Sequence, residues 1–272
     1  MSIRNKINGI KEIWHFDNRM QLIISRTFFP HQPLNIYRIG NVEFLEDHAN
    51  GDANGARDVF VSPMYRQYFK EIDKASPINV LDLGANNGGF PLLLKHEGYT
   101  INKLACVEFN PSTFSRMRFN IERNFSSGFT LFNVAACGDS REISVKIGGG
   151  GSSDNIYSGV KIGEREVNET ETIIQGLTFD QICSQAFDTN DIIDVCKMDI
   201  EGAEFEILPS DTAKRLNDCR YVIVEIHHTP TQDRKLVISE FLNRGFTEIH
   251  PFDDTTYNPH NVHLFVNPRL LN

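Results

Sequence analysis

Carboxylates recur where apolar runs end. Asp82 closes the run Asn79-Val80-Leu81, Glu108 follows Lys103–Val107, Asp199 follows Ile192–Met198, and Glu225 lies near the end of Tyr221–Ile226. An acid at such a position can do three things. It can accept the paired hydroxyls of a ribose, attract a cation, or take a proton from a reacting group. After Asp82 comes a glycine-rich turn, Gly84-Ala85-Asn86-Asn87-Gly88-Gly89, and then Pro91-Leu92-Leu93-Leu94-Lys95, which reads as helix. Glycines let a ligand approach the backbone, and a helix start offers free N–H groups. A strand, a tight turn and a helix in this order form a nucleotide-type cofactor site.

The turn narrows the choice of cofactor. The dinucleotide fingerprint is G-x-G-x-x-G, and its second glycine lets a pyrophosphate sit against the backbone. Here that position is Asn86. Asp82 points the same way, since an acid repels a diphosphate and attracts a sulfonium or an amino group. S-adenosylmethionine carries both cations. Asp82, Gly84, Asn86 and Gly88 are therefore the expected seat of its methionine half, and Glu108 the acceptor of its ribose hydroxyls. Asn133-Val134-Ala135-Ala136 ends the next strand, where small residues admit an adenine ring and groups of Asn133 or Ala135 can hydrogen-bond it.

These positions require a particular scaffold. Strands are expected at 78–83, 103–108 and 129–134, with helices at about 89–97 and from Pro111, after Asn110, to about Phe125. Pro111 suits a first helical turn. Buried strands at 192–198 and 221–226, a helix at about 232–244 and strands at about 246–251 and 261–266 complete the pattern. Strand–helix repeats of this length imply an α/β fold with a mostly parallel sheet covered on both faces. Between 137 and 180 the pattern changes to a β-rich insertion, with alternating segments at 142–147 and 167–174 around Gly148-Gly149-Gly150-Gly151-Ser152-Ser153. Thr178 is the expected N-cap of the helix that follows. Upstream, Ile10, Ile13, Trp14, Met20, Ile23 and Ile24 have helical spacing. A hairpin is expected around Gly40-Asn41, a polar loop at Glu46–Gly55, and one helix over Phe60–Lys70.

Composition bounds the function. The chain has 272 residues, 40% hydrophobic and 23% charged, with a net charge of −9. That balance opposes a grip on nucleic acid phosphates. No apolar run approaches the roughly 20 residues of a membrane span, so no membrane partner is expected. Five scattered cysteines fit a reducing, cytoplasmic setting. Cys106, Cys196 and Cys219 read as core residues.

The chemistry at the remaining acids follows from their neighbours. Asp199 and Glu225 end adjacent strands and face the same crevice. Asp199 or a histidine, with His228 preferred, is a candidate proton acceptor beside Glu225. Glu204 is expected to cap or to pair with Lys197. A metal reading places Mg²⁺ or Mn²⁺ on Asp199 and Glu225, joined by Glu201, His227 or His228.

Several segments together resemble the FkbM family of S-adenosylmethionine-dependent methyltransferases. They are Val80–Gly88, Val107-Glu108, Ala135-Ala136, Leu177-Thr178-Phe179-Asp180, Lys197-Met198-Asp199-Ile200-Glu201-Gly202-Ala203-Glu204 and Val224-Glu225-Ile226-His227. The resemblance covers about 78–266 and implies a class I methyltransferase (Rossmann-like) fold with a seven-stranded sheet. It also implies O-methylation of a sugar or natural-product hydroxyl. Asn87 departs from the apolar residue often found at its position, and residues 1–77 match nothing in the family. The expected organisation is an N-terminal extension, 1–77, acting as cap or substrate region, and a methyltransferase domain, 78–272. Two other readings stand beside this one. One is an NAD-dependent oxidoreductase, and the other is a catalytically silent binding module on the same fold. Self-association through the N-terminal helices is left open.

Overall fold

The computed structural model describes residues 12–29, 31–48, 55–147, 170–227, 233–250 and 261–271. Positions 49–54 of the polar loop expected at Glu46–Gly55, the glycine tract at 148–153 and His228 lie outside them, and Glu46 and Asp47 of that loop belong to a strand. Upstream of the main sheet are helix α1 (Arg19–Phe28), the hairpin β1 (Leu34–Ile39) and β2 (Val42–Asp47), and helix α2 (Ala56–Val61). A 3-10 turn follows at Arg66–Glu71. The single helix expected over Phe60–Lys70 is thus two pieces. Pro63 explains the break, because the residue before a proline is pushed out of the helical region; Ser62 has ψ 142°.

The seven-stranded sheet is built from β3 (Ile78–Leu83), β4 (Ile101–Val107), β5 (Phe129–Phe132), β9 (Ile193–Met198), β10 (Cys219–Glu225), β11 (Thr247–Ile249) and β12 (Val262–Val266). Its order is β11-β12-β10-β9-β3-β4-β5. The neighbours from β10 to β5 are parallel, and β12 is antiparallel to both β10 and β11. The chain winds outward from β3 through β4 to β5, then returns to β9 on the other side of β3. The strand order therefore reverses between β3 and β9, and ligands of such sheets bind outside the carboxyl ends at that point. Asp82, Gly84 and Asp199 all sit there.

Alternation along the strands feeds two cores. Val80, Leu104 and Cys106 join one apolar cluster, and Leu81, Ala105 and Val107 join the other. The first is completed by α3 (Gly89–His96), α4 (Pro111–Asn124) and the N-terminal elements, including Phe16, Tyr37 and Phe44. The second is closed by α5 (Phe179–Ala186), α6 (Glu204–Ile207) and α7 (Arg234–Asn243). All five cysteines are buried.

The helix starts follow their sequence signals. Asn110 Oδ1 accepts from the N–H groups of Ser112 and Thr113, with Pro111 in the first turn. Thr178 and Gln181 form a reciprocal capping box at the head of α5. The β-rich insertion is a separate three-stranded sheet of β6 (Ala135–Cys137), β7 (Glu142–Ile147) and β8 (Thr170–Thr178).

Candidate functional site

A cavity of about 380 Å³ opens at the carboxyl ends of β3, β4, β9 and β10. The wall at the β3 turn is Gly84, Ala85, Asn86 and Gly89. Gly84 has φ +72°, and a Cβ on it would meet the backbone oxygen of Asp199 at 1.7 Å. This glycine lets the ends of β3 and β9 touch, which no side chain permits. Asn86 also has a positive φ, +49°, a conformation asparagine tolerates. Gly88 has φ +89°, caps α3 and faces Ile121 of α4; it shapes the turn without lining the cavity.

Glu108 stands on the cavity wall, and its carboxylate organises the turn. Oε2 accepts from Asn86 N at 3.0 Å and Oε1 from Asn110 N at 2.8 Å. Burial pushes its pKa up to about 7 against those two N–H groups. Each oxygen keeps a second lone pair, so two further donors fit, as a ribose diol would supply. Val134, Ala135 and Ala136 offer a small apolar surface nearby. Asn133 does not reach the cavity. Its amide donates to the carbonyls of Glu108 and Phe109, at 2.9 and 3.0 Å, and fastens the strand end.

Asp82 also departs from expectation. It is fully buried, absent from the cavity wall, and 3.3 Å from Lys197 Nζ. Lys197 Nζ donates to Gly84 O at 2.6 Å and lies 3.3 Å from both Asp82 Oδ1 and Asp199 Oδ2. An ammonium has three hydrogens, and here three oxygens surround it. Burial works against its charge, but Asp82 and Asp199 more than offset this and hold it above the ordinary lysine range. Lys197 ties β9 to β3 and pairs with these two acids, not with Glu204.

The opposite end of the cavity gathers the remaining acids. Asp199 Oδ2 accepts from Tyr65 OH at 3.1 Å, and Oδ1 lies 3.6 Å from His227 Nε2. His227 Nδ1 is 3.1 Å from Glu204 Oε1, and its Nε2 is 3.4 Å from Glu201 Oε2. Burial opposes protonation of His227, yet Glu204, Asp199 and Glu201 together push its pKa up to about 10. Burial, helped by Asp199, raises Glu225 to about 8; burial raises Glu201 to about 7, against His227. Asp199, Glu201 and His227 each bring one ligand-type atom within 4.8 Å of the others. Glu225 is not in that group.

These shifts have one sign in stability. Glu108, Glu201 and Glu225 keep protons in the folded chain that the unfolded chain releases near 4.5. Their contribution is complete below that pH and is lost as pH rises through about 7 to 8. His227 repeats the pattern between 6.5 and about 10. Above about pH 6.5, where the buried His48 no longer opposes the trend, the melting temperature of the ligand-free protein is expected to fall toward about pH 9, and less steeply in Glu225→Gln. Parallel curves for the two proteins in differential scanning calorimetry would contradict this.

The N-terminal segment supplies residues that sequence reasoning missed. Gly55, Asp58, Val59, Met64 and Tyr65 all line the cavity. Asn87 explains how they are held. Its buried Oδ1 accepts from Ala56 N at 2.6 Å, pinning the start of α2 to the β3 turn. Asn120 on α4 binds the same region, donating to Asn87 O at 2.7 Å and pairing with Leu45 of β2.

Residues 82–253 match the family profile "Methyltransferase FkbM domain". This chain belongs to the FkbM methyltransferase family. The fold is accordingly that of an S-adenosylmethionine-dependent class I methyltransferase, and the NAD-dependent reading falls away. Solved structures similar to this family member include methyltransferase FkbM from Methylobacillus flagellatus KT, with 16% identity and a TM-score of 0.46 over 77% of this chain and 53% of that one. The chain thus spans about half the length of that protein. A SAM-dependent methyltransferase from Agrobacterium tumefaciens aligns at 10% identity and TM-score 0.48, over 87% and 70%. TrmK of M. capricolum, in complex with S-adenosyl-homocysteine, aligns at 12% and 0.41, over 75% and 67%. No curated protein matches the sequence.

Proposed function

We propose that this FkbM-family chain moves the methyl group of S-adenosylmethionine to a hydroxyl oxygen of a sugar or natural product, in the cytoplasm. The observation that carries this reading is the layout of the cavity. Glu108, with spare acceptor capacity, stands at the β4 end, and Asp199, Glu201, Glu225 and His227 stand at the β9 and β10 ends. In this reading Glu108 holds the ribose and the Gly84–Asn86 turn supports the methionine half. Ala135 and its neighbours contact the adenine, while Asp82, Gly88 and Asn133 hold the frame. S-adenosylmethionine, when bound, supplies a methyl carbon made electrophilic by its sulfonium.

An alcohol must lose its proton to attack that carbon, and a positioned base accelerates this step. Glu225 is assigned that role. Its raised pKa lies near neutrality, where a base both ionises and accepts a proton well, and a bound cation favours its ionised form. Asp199 is assigned a positioning role, since one of its oxygens already serves Tyr65 and Lys197. His227, tied to Glu204, occupies the place expected of His228. Residues 1–77 are assigned as the cap that selects the acceptor, because Asp58, Met64 and Tyr65 line the cavity and Tyr65 reaches Asp199.

A second reading has a divalent cation on Asp199, Glu201 and His227. Their convergence and the Glu204 bond on the far nitrogen of His227 favour it. Mg²⁺ or Mn²⁺ there would orient the acceptor hydroxyl and lower its pKa.

Transfer of label from methyl-labelled S-adenosylmethionine to a panel of hydroxylated, amino and nucleic acid acceptors tests the proposal. Label on a hydroxyl oxygen, persisting in chelator, supports Glu225 as base. Loss in chelator with recovery on adding Mg²⁺ selects the metal reading. Cofactor binding with no transfer to any acceptor would favour a silent binding module.

A further inference from the structure

Asp82, the acid expected at the methionine half of the cofactor, is enclosed and paired with Lys197. In the proposed function that half brings an ammonium to the Gly84–Asn86 turn, and an ammonium taken out of water needs an acidic partner. Among the described residues five acids line the cavity: Asp58, Glu108, Asp199, Glu201 and Glu225. Glu108 is assigned to the ribose. Asp199 touches the turn through its backbone, while its carboxylate takes Tyr65 OH and Lys197. Glu201 lies 3.4 Å from His227. Glu225 ends β10, two strands away from β3. That leaves Asp58.

Asp58 belongs to the first turn of α2, and α2 is set directly on the cofactor turn. Gly55, Asp58 and Val59 all line the cavity. They are spaced by three and four positions, so they share one side of the helix. Asn87 Oδ1 accepts from Ala56 N at 2.6 Å and fixes the start of α2. A Cβ on Gly55 would lie 2.6 Å from Asn87 Oδ1 and 3.0 Å from Asn86 Oδ1, and one on Gly89 would lie 2.7 Å from Ala56 Cα. Glycine on both sides of this contact lets the two backbones approach where no side chain would fit. Position 58 is thereby held over the turn, one helical turn along from Gly55.

We infer that Asp58 binds the ammonium of the cofactor's methionine half, so that the N-terminal segment completes the cofactor site as well as capping the acceptor. The assignment rests on the S-adenosylmethionine reading of the cavity. A carboxylate offers about four acceptor positions, enough for an ammonium alongside the contacts Asp58 makes within the chain. It also gives the Asn87 contact a purpose, since that hydrogen bond sets the helix carrying Asp58 against the turn.

Isothermal titration calorimetry with two ligands tests the inference. S-adenosylhomocysteine carries the ammonium. 5′-Methylthioadenosine keeps the adenine, ribose and sulfur and lacks the amino-acid group. The parent is expected to bind both. Asp58→Asn is expected to weaken S-adenosylhomocysteine by at least about 10-fold, the worth of a charge-assisted contact, and to leave 5′-methylthioadenosine unchanged. Glu108→Ala, by contrast, should weaken both, because both carry the ribose. Equal S-adenosylhomocysteine affinity in the parent and Asp58→Asn would overturn the inference and leave the cofactor reading standing. An equal loss of both ligands in Asp58→Asn would also overturn it, since a general change in the cavity would act that way. Failure of the parent to bind either ligand would remove the cofactor reading itself, and this inference with it.

Discussion

Replacing Lys197 by methionine is expected to cost about 3–5 kcal/mol of stability, the range found when one partner of a buried ion pair is removed. The ammonium is 4% exposed as a residue and sits among Asp82, Asp199 and the carbonyl of Gly84. Asp82 is completely enclosed, so its carboxylate has no water to replace the lost cation. The damage should be partly repaired by Asp82→Asn in the Lys197→Met background, because the second change removes the stranded charge. Such coupling between touching residues is measurable as a departure from additivity in urea denaturation. Additive effects of the two substitutions would mean that the pair is not what holds β9 against β3.

Glu225→Gln is expected to lower kcat by about 10²–10⁴-fold, the usual worth of a positioned base. The substitution keeps shape and removes proton affinity, so cofactor affinity should change little. The parent pH–rate profile is expected to rise through a pKa at or below about 8, the ligand-free value, since activity requires the ionised carboxylate and a bound cation favours it. That rise should vanish in the variant. A variant with full activity would move the proton-accepting role to Glu201, whose pKa is also raised, to about 7. By contrast Tyr65→Phe removes a donor to Asp199 and leaves Glu225 in place, so it should reduce kcat without abolishing the pH dependence.

The sheet was legible because its strands are apolar runs of the right length and its helix starts carry strong caps. Ile78–Leu83, Pro111 and Thr178 each fell where their chemistry placed them. The site was legible only in part. Residue type locates an acid at a strand end but says nothing of depth, so Asp82 was expected at the cofactor site and is instead buried off the cavity wall, paired with Lys197. Lys197, beside Val195, Cys196 and Met198 in the expected buried strand, was the available signal, since a buried ammonium demands acidic partners. Tyr65 gave no local signal. It reaches Asp199 across 134 positions of sequence, a contact created by tertiary packing. Asn87 was visible as a departure from the family and is explained by its hold on Ala56.

In the proposed function S-adenosylmethionine occupies the cavity lined by Glu108 and the Gly84–Asn86 turn. Isothermal titration calorimetry with S-adenosylhomocysteine, on the parent and on Glu108→Ala, tests it most directly. Saturable binding to the parent is expected, with a loss of at least about 10-fold in Glu108→Ala, since charge-assisted bonds to a ribose diol are worth about 1.5–3 kcal/mol. No binding to the parent, or equal affinity in the two proteins, would contradict it.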